Sequence, residues 1–300
     1  MRKTRARPPD DSSSIARMPG WIIGDILQTP EDAAFRSGAA LAYLHRVAAD
    51  PVIPHALWRA RLALVAAEAC VAFAGRREAA GALRDALHLL RPGDHPGPAG
   101  EVFRQWTRAV ARPISVASLH RALPDLTVER IARCLDAASG NPVERAAAVL
   151  EAVLTDTPRA EAAALILADA VVTRALGWDH VLPLLATGLK PRDLRKRDDA
   201  LRLACHRALV MAAGQAVPLA ADLARRAGRL QAVVPQLRAK GAEQAVALFL
   251  SRDALAPSAL TQDVRGAMSD RAARRLCDRL VALGALRELT GRDTFRLYGV

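Results

Sequence analysis

The sequence predicts a mainly α fold, with a large multi-helix region followed by a short helix-and-hairpin unit at the C-terminus. Hydrophobic residues make up 51% of the 300 residues, but aromatic residues only 4%. Alanine, leucine and valine therefore supply most of the apolar content, and alanine and leucine are the best helix formers. Apolar residues also recur at three- and four-residue intervals along most of the chain, and only its last residues alternate as strands do.

The chain divides into three parts by composition. Residues 1–17 are rich in arginine, proline and serine, so we expect a disordered basic arm. Residues 18–240 are predicted to form the helical domain and residues 242–300 a second domain. The polar, glycine-containing "RAKGAE" between Arg238 and Glu243 is the predicted boundary. No apolar segment of signal-peptide length follows the basic start, which predicts a cytoplasmic protein.

Start and stop signals place the helices of the large region. A first helix is predicted to begin at Thr29-Pro30, where proline suits the first turn, and a second is predicted to end at Gly75. After the basic segment from Lys190 to Asp199, two helices are predicted, "ALRLACHRALVMAAGQAV" and a second that begins at Pro218.

The most unusual stretch of the first half is "RPGDHPGPAG", from Arg91 to Gly100, with three prolines and three glycines. A turn that braces two helices is the favoured interpretation. The adjacent Asp94 and His95, with Arg84 and Asp85 nearby in sequence, leave an enzymatic site at this loop as an alternative.

Charge favours a polyanionic partner. The chain has 43 lysines and arginines against 31 acidic residues, a formal net charge of +12. Nucleic acid is the first candidate and an anionic membrane the second. No run approaches eighteen consecutive apolar residues, so we expect no membrane-spanning helix.

We expect neither a metal nor a cofactor. The four cysteines are widely separated and form no CxxC pair, and the seven histidines include no HExxH motif. Glycine-rich nucleotide-binding motifs are also missing from the sequence.

The C-terminal stretch carries the clearest signals. Ser269 is a good N-cap, Asp270 suits the positive end of the helix dipole, and Gly284 supplies a stop. The helix between them has apolar residues on one face and arginines on the other. "ALREL", "TGRD" and "TFRLYGV" then predict a hairpin, in which Phe295 and Leu297 share one side and Arg296 and Tyr298 the other.

Two preceding helices, this arginine-bearing helix and a two-stranded ribbon together predict a winged helix-turn-helix with a β-hairpin wing. In such a unit the third helix enters the major groove and the wing lies against the backbone or the minor groove. We therefore expect double-stranded DNA as the partner, with a homodimer as one arrangement. The alternatives are protein docking through the same unit, or the enzyme above. The predicted DNA-binding residues are Arg271, Arg274, Arg275, Arg279, Arg292 and Arg296.

"RAARRLCDRLVALGALREL" and the following "TGR…FRLY" resemble the winged-helix tails of bacterial regulators and of Fic-type adenylyltransferases. The His-Pro-Phe signature of the transferases is missing here, so the resemblance implies no transferase activity.

Over nearly its full length the chain resembles a bacterial family catalogued as domain of unknown function 1403. That family is found mostly in alphaproteobacteria and often near plasmid genes. The matching stretches include "LRDALHLLRPGDHPGPAG", "ADAVVTRALGWDHVLPLLA" and "RELTGRDTFRLYGV". This resemblance implies a cytoplasmic bacterial protein and no particular activity.

Overall fold

The computed structural model describes residues 15–24, 29–91, 93–136, 140–264 and 268–300. It confirms a mainly helical protein with one small hairpin near the C-terminus. The predicted arm falls almost entirely outside the described residues. The helices are α1 (Gly20–Ile23), α2 (Pro30–Ala48), α3 (His55–Phe73), α4 (Ala80–His88), α5 (Gly97–Val110), α6 (Val116–Ala122), α7 (Val128–Leu135), α8 (Pro142–Asp156), α9 (Glu161–Ala175), α10 (Leu185–Gly188), α11 (Asp198–Ala232), α12 (Ala242–Phe249), α13 (Pro257–Asp263) and α14 (Asp270–Ala282); the strands are β1 (Arg287–Glu288) and β2 (Tyr298–Gly299).

Local signals account for several helix ends. The Thr29 hydroxyl accepts a hydrogen bond from the Asp32 amide at 3.1 Å, with Pro30 in the first turn, as the sequence predicts. The Asn141 side chain likewise accepts bonds from two backbone amides at the start of α8. These caps satisfy amide groups that have no partner inside the helix.

Helices α9 and α11 contribute many of the buried residues of the core. Every residue of α9 from Ala164 to Thr173 is buried, and α9 packs chiefly on α8. The long helix α11 packs on α2, α8 and α10. Small residues permit some of these approaches: a Cβ added at Gly188 of α10 would lie 2.2 Å from the Ala208 carbonyl oxygen of α11.

The prediction of two helices around Pro218 was wrong, because α11 runs unbroken through this proline for 35 residues. Proline lacks the N–H that would bond to the Gly214 carbonyl, a defect that usually ends or kinks a helix. Here Pro218 is exposed, while Ala216, Val217 and Ala220 beside it are buried. Packing on this face therefore outweighs the missing bond.

By length and composition, one described segment, Asp198–Gln236, could cross a membrane, and its most apolar 18-residue window has a mean hydropathy of 1.2. Inside the protein, 56% of that window is buried. Its apolar residues are thus largely used in packing against the other helices, as in any core helix.

A buried carboxylate joins α9 to α10. Both oxygens of Asp169 accept backbone hydrogen bonds, from the Leu184 amide at 3.0 Å and the Leu185 amide at 2.9 Å. The side chain thereby caps α10, whose own N-cap residue, Leu184, has no polar side chain. Burial raises the pKa of Asp169 to about 7, against the opposing effect of these two hydrogen bonds.

The C-terminal unit, residues 242–300, combines α12, α13, α14 and the hairpin. Ser269 caps α14, and Gly284 follows it with φ 67°, as predicted. Strands β1 and β2 are antiparallel, pairing Arg287 with Gly299 and Glu288 with Tyr298. A further bridge joins Leu255, between α12 and α13, to Tyr298 through two backbone hydrogen bonds of 2.9 Å.

The predicted alternation of the last strand was wrong at Phe295. This side chain is 70% exposed, whereas Leu297 is fully buried, so the two do not share a side. Phe295 has φ 55°, a left-handed conformation that breaks the two-residue period of a strand. Tyr298, predicted to face away with Arg296, is buried.

The C-terminal unit is fastened to α3 and α4 by one buried acid. Asp253, only 5% exposed, accepts two hydrogen bonds from Arg84 of α4, at 2.6 Å and 3.0 Å. Arg61 of α3 places its Nε 2.8 Å from the same carboxylate. Buried apolar residues of both regions also belong to one continuous cluster. The predicted domain boundary at 238–243 stays a prediction.

We expect Asp169 to make stability fall with rising pH. Because its pKa is raised on folding, the folded state keeps a proton that the unfolded state loses between about pH 4 and pH 7. The contribution decreases through that window by about 1.4 kcal/mol per pH unit. The side chain in the Asp169→Asn variant cannot titrate. The thermal stability of the wild type should therefore fall relative to that of this variant as pH rises. Parallel curves for the two proteins would contradict the assignment.

Removing the charge of Asp253 should destabilise the protein strongly. Asp253→Asn leaves two largely buried arginines without their counter-ion, a change that costs about 3–5 kcal/mol in buried pairs. Urea denaturation measures the loss, and limited proteolysis at 238–243 shows whether the C-terminal unit opens first. The matched control is Asp263→Asn, which breaks a more exposed pair with Arg252 and should cost at most about 1 kcal/mol. Equal losses in both variants would refute the anchoring role.

Candidate nucleic-acid interface

Helix α14 separates an apolar face from a row of arginines. Its buried residues are Ala273, Leu276, Cys277 and Leu280. Arg271, Arg275 and Arg279 are exposed and follow one another at four-residue steps, so each lies about 6 Å further along the helix axis. The apolar face holds α14 in the C-terminal unit, which leaves the row accessible.

This row lines one wall of a cleft of about 600 Å³, which we call the basic cleft. The other wall is residues 236–239, the segment between α11 and α12, which adds Arg238. Within the described residues, none of these four arginines forms an ion pair or a side-chain hydrogen bond. Four cations without an ion pair give this concavity a positive potential, which attracts anions.

Arg274 and Arg296 lie elsewhere, on a second cleft of about 710 Å³ that also contains three aspartates. Arg274 pairs with Asp270 at 2.7 Å. The Arg296 Nη2 atom lies 3.5 Å from Asp293, and its Nε donates to the Arg292 carbonyl at 2.9 Å. Hydrogen bonding to Tyr298 raises the pKa of Arg296. Both cations are therefore partly neutralised by neighbouring acids.

Arg292, at the tip of the hairpin, contacts α4. Its guanidinium donates to Asp85 at 2.6 Å, and both side chains are partly exposed. Glu288 closes the tip by accepting from the Thr290 amide at 2.7 Å and the Gly291 amide at 2.8 Å. The hairpin therefore contacts the rest of the protein through its tip as well as through β2.

The structure brings together three of the six sequence-predicted residues: Arg271, Arg275 and Arg279. Arg238 completes that group, although sequence reasoning left it out of the site. Its position in the "RAKGAE" linker predicted a boundary and gave no sign that the linker folds back beside α14. The sequence does show that Arg238 and Lys240 lie close together with no acidic residue between them. That local excess of basic residues is the signal that could have added Arg238 to the site.

Three of the four residues of the alternative enzymatic set, Arg84, Asp85 and Asp94, take part in structural contacts. Asp94 accepts a hydrogen bond from the Arg91 amide at 3.0 Å, which closes a turn, and α5 already begins at Gly97. Arg84 and Asp85 bind Asp253 and Arg292 instead. Pro92 lies outside the described residues. Across the described ranges, no group of three or more His, Cys, Asp or Glu side chains is arranged to hold a metal ion.

Comparison with known proteins places the chain in a family but supplies no activity. No curated protein matches it. The family model described as "Protein of unknown function (DUF1403)" matches residues 7–300, which is nearly the whole chain. The chain therefore belongs to this family, as its resemblance in sequence implies.

Proposed function

We propose that the protein binds double-stranded DNA through the basic cleft. The observation that carries this proposal is the set of four arginines without an acidic partner among the described residues: Arg238, Arg271, Arg275 and Arg279. Phosphate groups supply the charge that such a set lacks, and guanidinium groups bind them with two parallel hydrogen bonds. The net charge of +12 acts in the same direction at longer range.

The order of elements in the C-terminal unit supports a winged helix-turn-helix. Two helices, α12 and α13, flank an extended residue, Leu255, and precede the third helix α14 and the hairpin. Leu255 pairs with β2, so the short extended segment and the hairpin form one small sheet. In winged helices of this order the third helix reads the major groove, and α14 carries the arginine row.

The proposed contacts differ among the arginines. Arg271 and Arg275 would reach base edges or phosphates together, since they lie one turn apart. Arg238 and Arg279 would hold the flanking backbone. Arg274, Arg292 and Arg296 would reach DNA only by leaving Asp270, Asp85 and Asp293, so we assign them no contact with DNA. A role on chromosomal or plasmid DNA would place the protein in the cytoplasm.

The decisive test compares Arg271→Ala/Arg275→Ala with Arg274→Ala/Arg296→Ala. Each double variant removes two positive charges from the C-terminal unit, and three of the four positions lie on α14, where alanine is well tolerated. Duplex binding is titrated by fluorescence anisotropy over a range of salt. The first variant should bind more weakly, and the slope of log K against log salt should fall in magnitude by about two. The second should stay close to the wild type.

Equal losses in the two variants would show that net charge, and not the basic cleft, governs binding. No binding of the wild type to any duplex at low salt would reject the DNA proposal. Binding of an acidic protein segment that requires Arg271 and Arg275 would then support the docking alternative. The stoichiometry of the same titration shows whether one or two copies occupy a site.

Arg292 provides a separate prediction about the hairpin. Because its guanidinium is already paired with Asp85, Arg292→Ala should leave the salt dependence of DNA binding nearly unchanged. The cost in stability should be at most about 1 kcal/mol, as for other partly exposed pairs. A drop of about one in the salt slope would instead show that the hairpin tip leaves Asp85 and contacts a phosphate.

A further inference from the structure

A third cleft, of about 360 Å³, lies among the end of α2, the start of α3 and the segment after α9. We call it the histidine cleft. Its polar lining includes His45, His55, Arg59 and His180, and Trp178 provides an aromatic wall. These residues come from three separate parts of the chain, and none of them belongs to the basic cleft.

Arg59 is the positive charge of this cleft. Its Nε donates to the Val110 carbonyl at 3.3 Å, and among the described residues its two Nη groups have no hydrogen-bond partner. No described carboxylate forms an ion pair with it, although Asp179 lines the same cleft. A half-buried guanidinium without a counter-ion is costly, and an anion entering the cleft would offset that cost.

Two histidines beside Arg59 provide neutral polar groups. Burial lowers the pKa of His55, and the charge of Arg59 lowers it further, whereas Asp50 opposes the shift. Burial and Arg59 likewise lower the pKa of His180, against the effect of Asp179. A neutral imidazole has one N–H donor and one acceptor, so the cleft holds a single full positive charge together with hydrogen-bonding groups.

The aromatic wall is held in a fixed arrangement. The Trp178 indole N–H donates to Nδ1 of His45 at 2.8 Å, and the two rings stack with centroids 6.1 Å apart. Because an indole nitrogen can only donate, Nδ1 of His45 must accept and its proton must lie on Nε2. His45 therefore has an Nε2–H donor available for another acceptor.

We propose that the histidine cleft binds a small planar carboxylate, with the carboxylate on Arg59 and the flat body against Trp178. A guanidinium and a carboxylate match in two parallel hydrogen bonds. Aromatic rings stack on an indole, and the histidines and Ala48 complete a lining of mixed polarity. The volume lies near the lower end of the range for ligand pockets, which suits a small molecule and excludes a nucleic-acid strand. This site is independent of the proposed DNA binding.

The experiment uses benzoate as the probe on the full chain, with calorimetry and tryptophan fluorescence as readouts. Benzyl alcohol has the ring without the charge, acetate has the charge without the ring, and inorganic phosphate is an anion of another shape. Benzoate should bind saturably and at least tenfold more tightly than each of the other three. Its effect on fluorescence should decrease in Trp178→Phe, which leaves Trp58, the other tryptophan of the cleft, in place.

Arg59→Gln should weaken benzoate binding at least tenfold, whereas Arg133→Gln, an exposed arginine on α7, should leave it unchanged. His180→Gln is a second variant that keeps the charge of Arg59, and it should weaken binding if Arg59→Gln fails to fold. Lack of saturable benzoate binding at millimolar concentration would overturn the proposal. So would equal affinity for acetate or phosphate, or unchanged affinity in the folded Arg59→Gln and His180→Gln variants.

Discussion

The buried ion pairs of Asp253 set the position of everything that follows α11. One carboxylate neutralises Arg61 of α3 and Arg84 of α4, which joins two helices of the large region to the segment between α12 and α13. Two residues further along, Leu255 bridges to Tyr298 of the hairpin. The backbone is close here as well: a Cβ added at Gly299 would lie 2.7 Å from the Asp253 carbonyl oxygen. The orientation of α14 therefore depends on contacts made far from α14 itself.

The arginines that anchor the fold differ from those that line the two proposed binding sites. Those at structural positions have acids beside them, as at Asp253, or as where Arg292 meets Asp85. The arginines of the basic cleft, and Arg59 in the histidine cleft, form no ion pair among the described residues. Since an unneutralised cation gains the most from an added anion, an arginine that both lacks an ion pair and lines a cleft is where we propose that a ligand binds. Net charge alone could not have made this distinction.

Local sequence signals predicted the parts of the fold that depend on near neighbours. The start of α2 at Thr29-Pro30, the Ser269 cap and the stop at Gly284 all rest on hydrogen bonds or φ angles within four residues. The mainly helical class followed from composition and spacing. Arg271, Arg275 and Arg279 could be placed on one face because the helical period is regular.

What the sequence could not predict depends on long-range packing. Arg84 and Asp253 are 169 residues apart, and Trp178 and His45 are 133 apart, so no periodicity connects them.

Pro218 is a helix-breaking signal that burial of the opposite face overrides in α11. Phe295 has a left-handed φ that no strand pattern reveals, and that single angle reverses the predicted side of the residues around it. Arg238 joins the basic cleft only because the linker folds back beside α14.

Sharing one acid between two arginines also limits how this chain can evolve. A recombination event that exchanged the C-terminal unit for another would leave Arg61 and Arg84 without a counter-ion, so the unit is not freely transferable. A lineage that loses the carboxylate at position 253 must also replace both arginines by uncharged residues, or acquire a new acid beside them. We therefore expect substitutions at the three positions to occur together across the family.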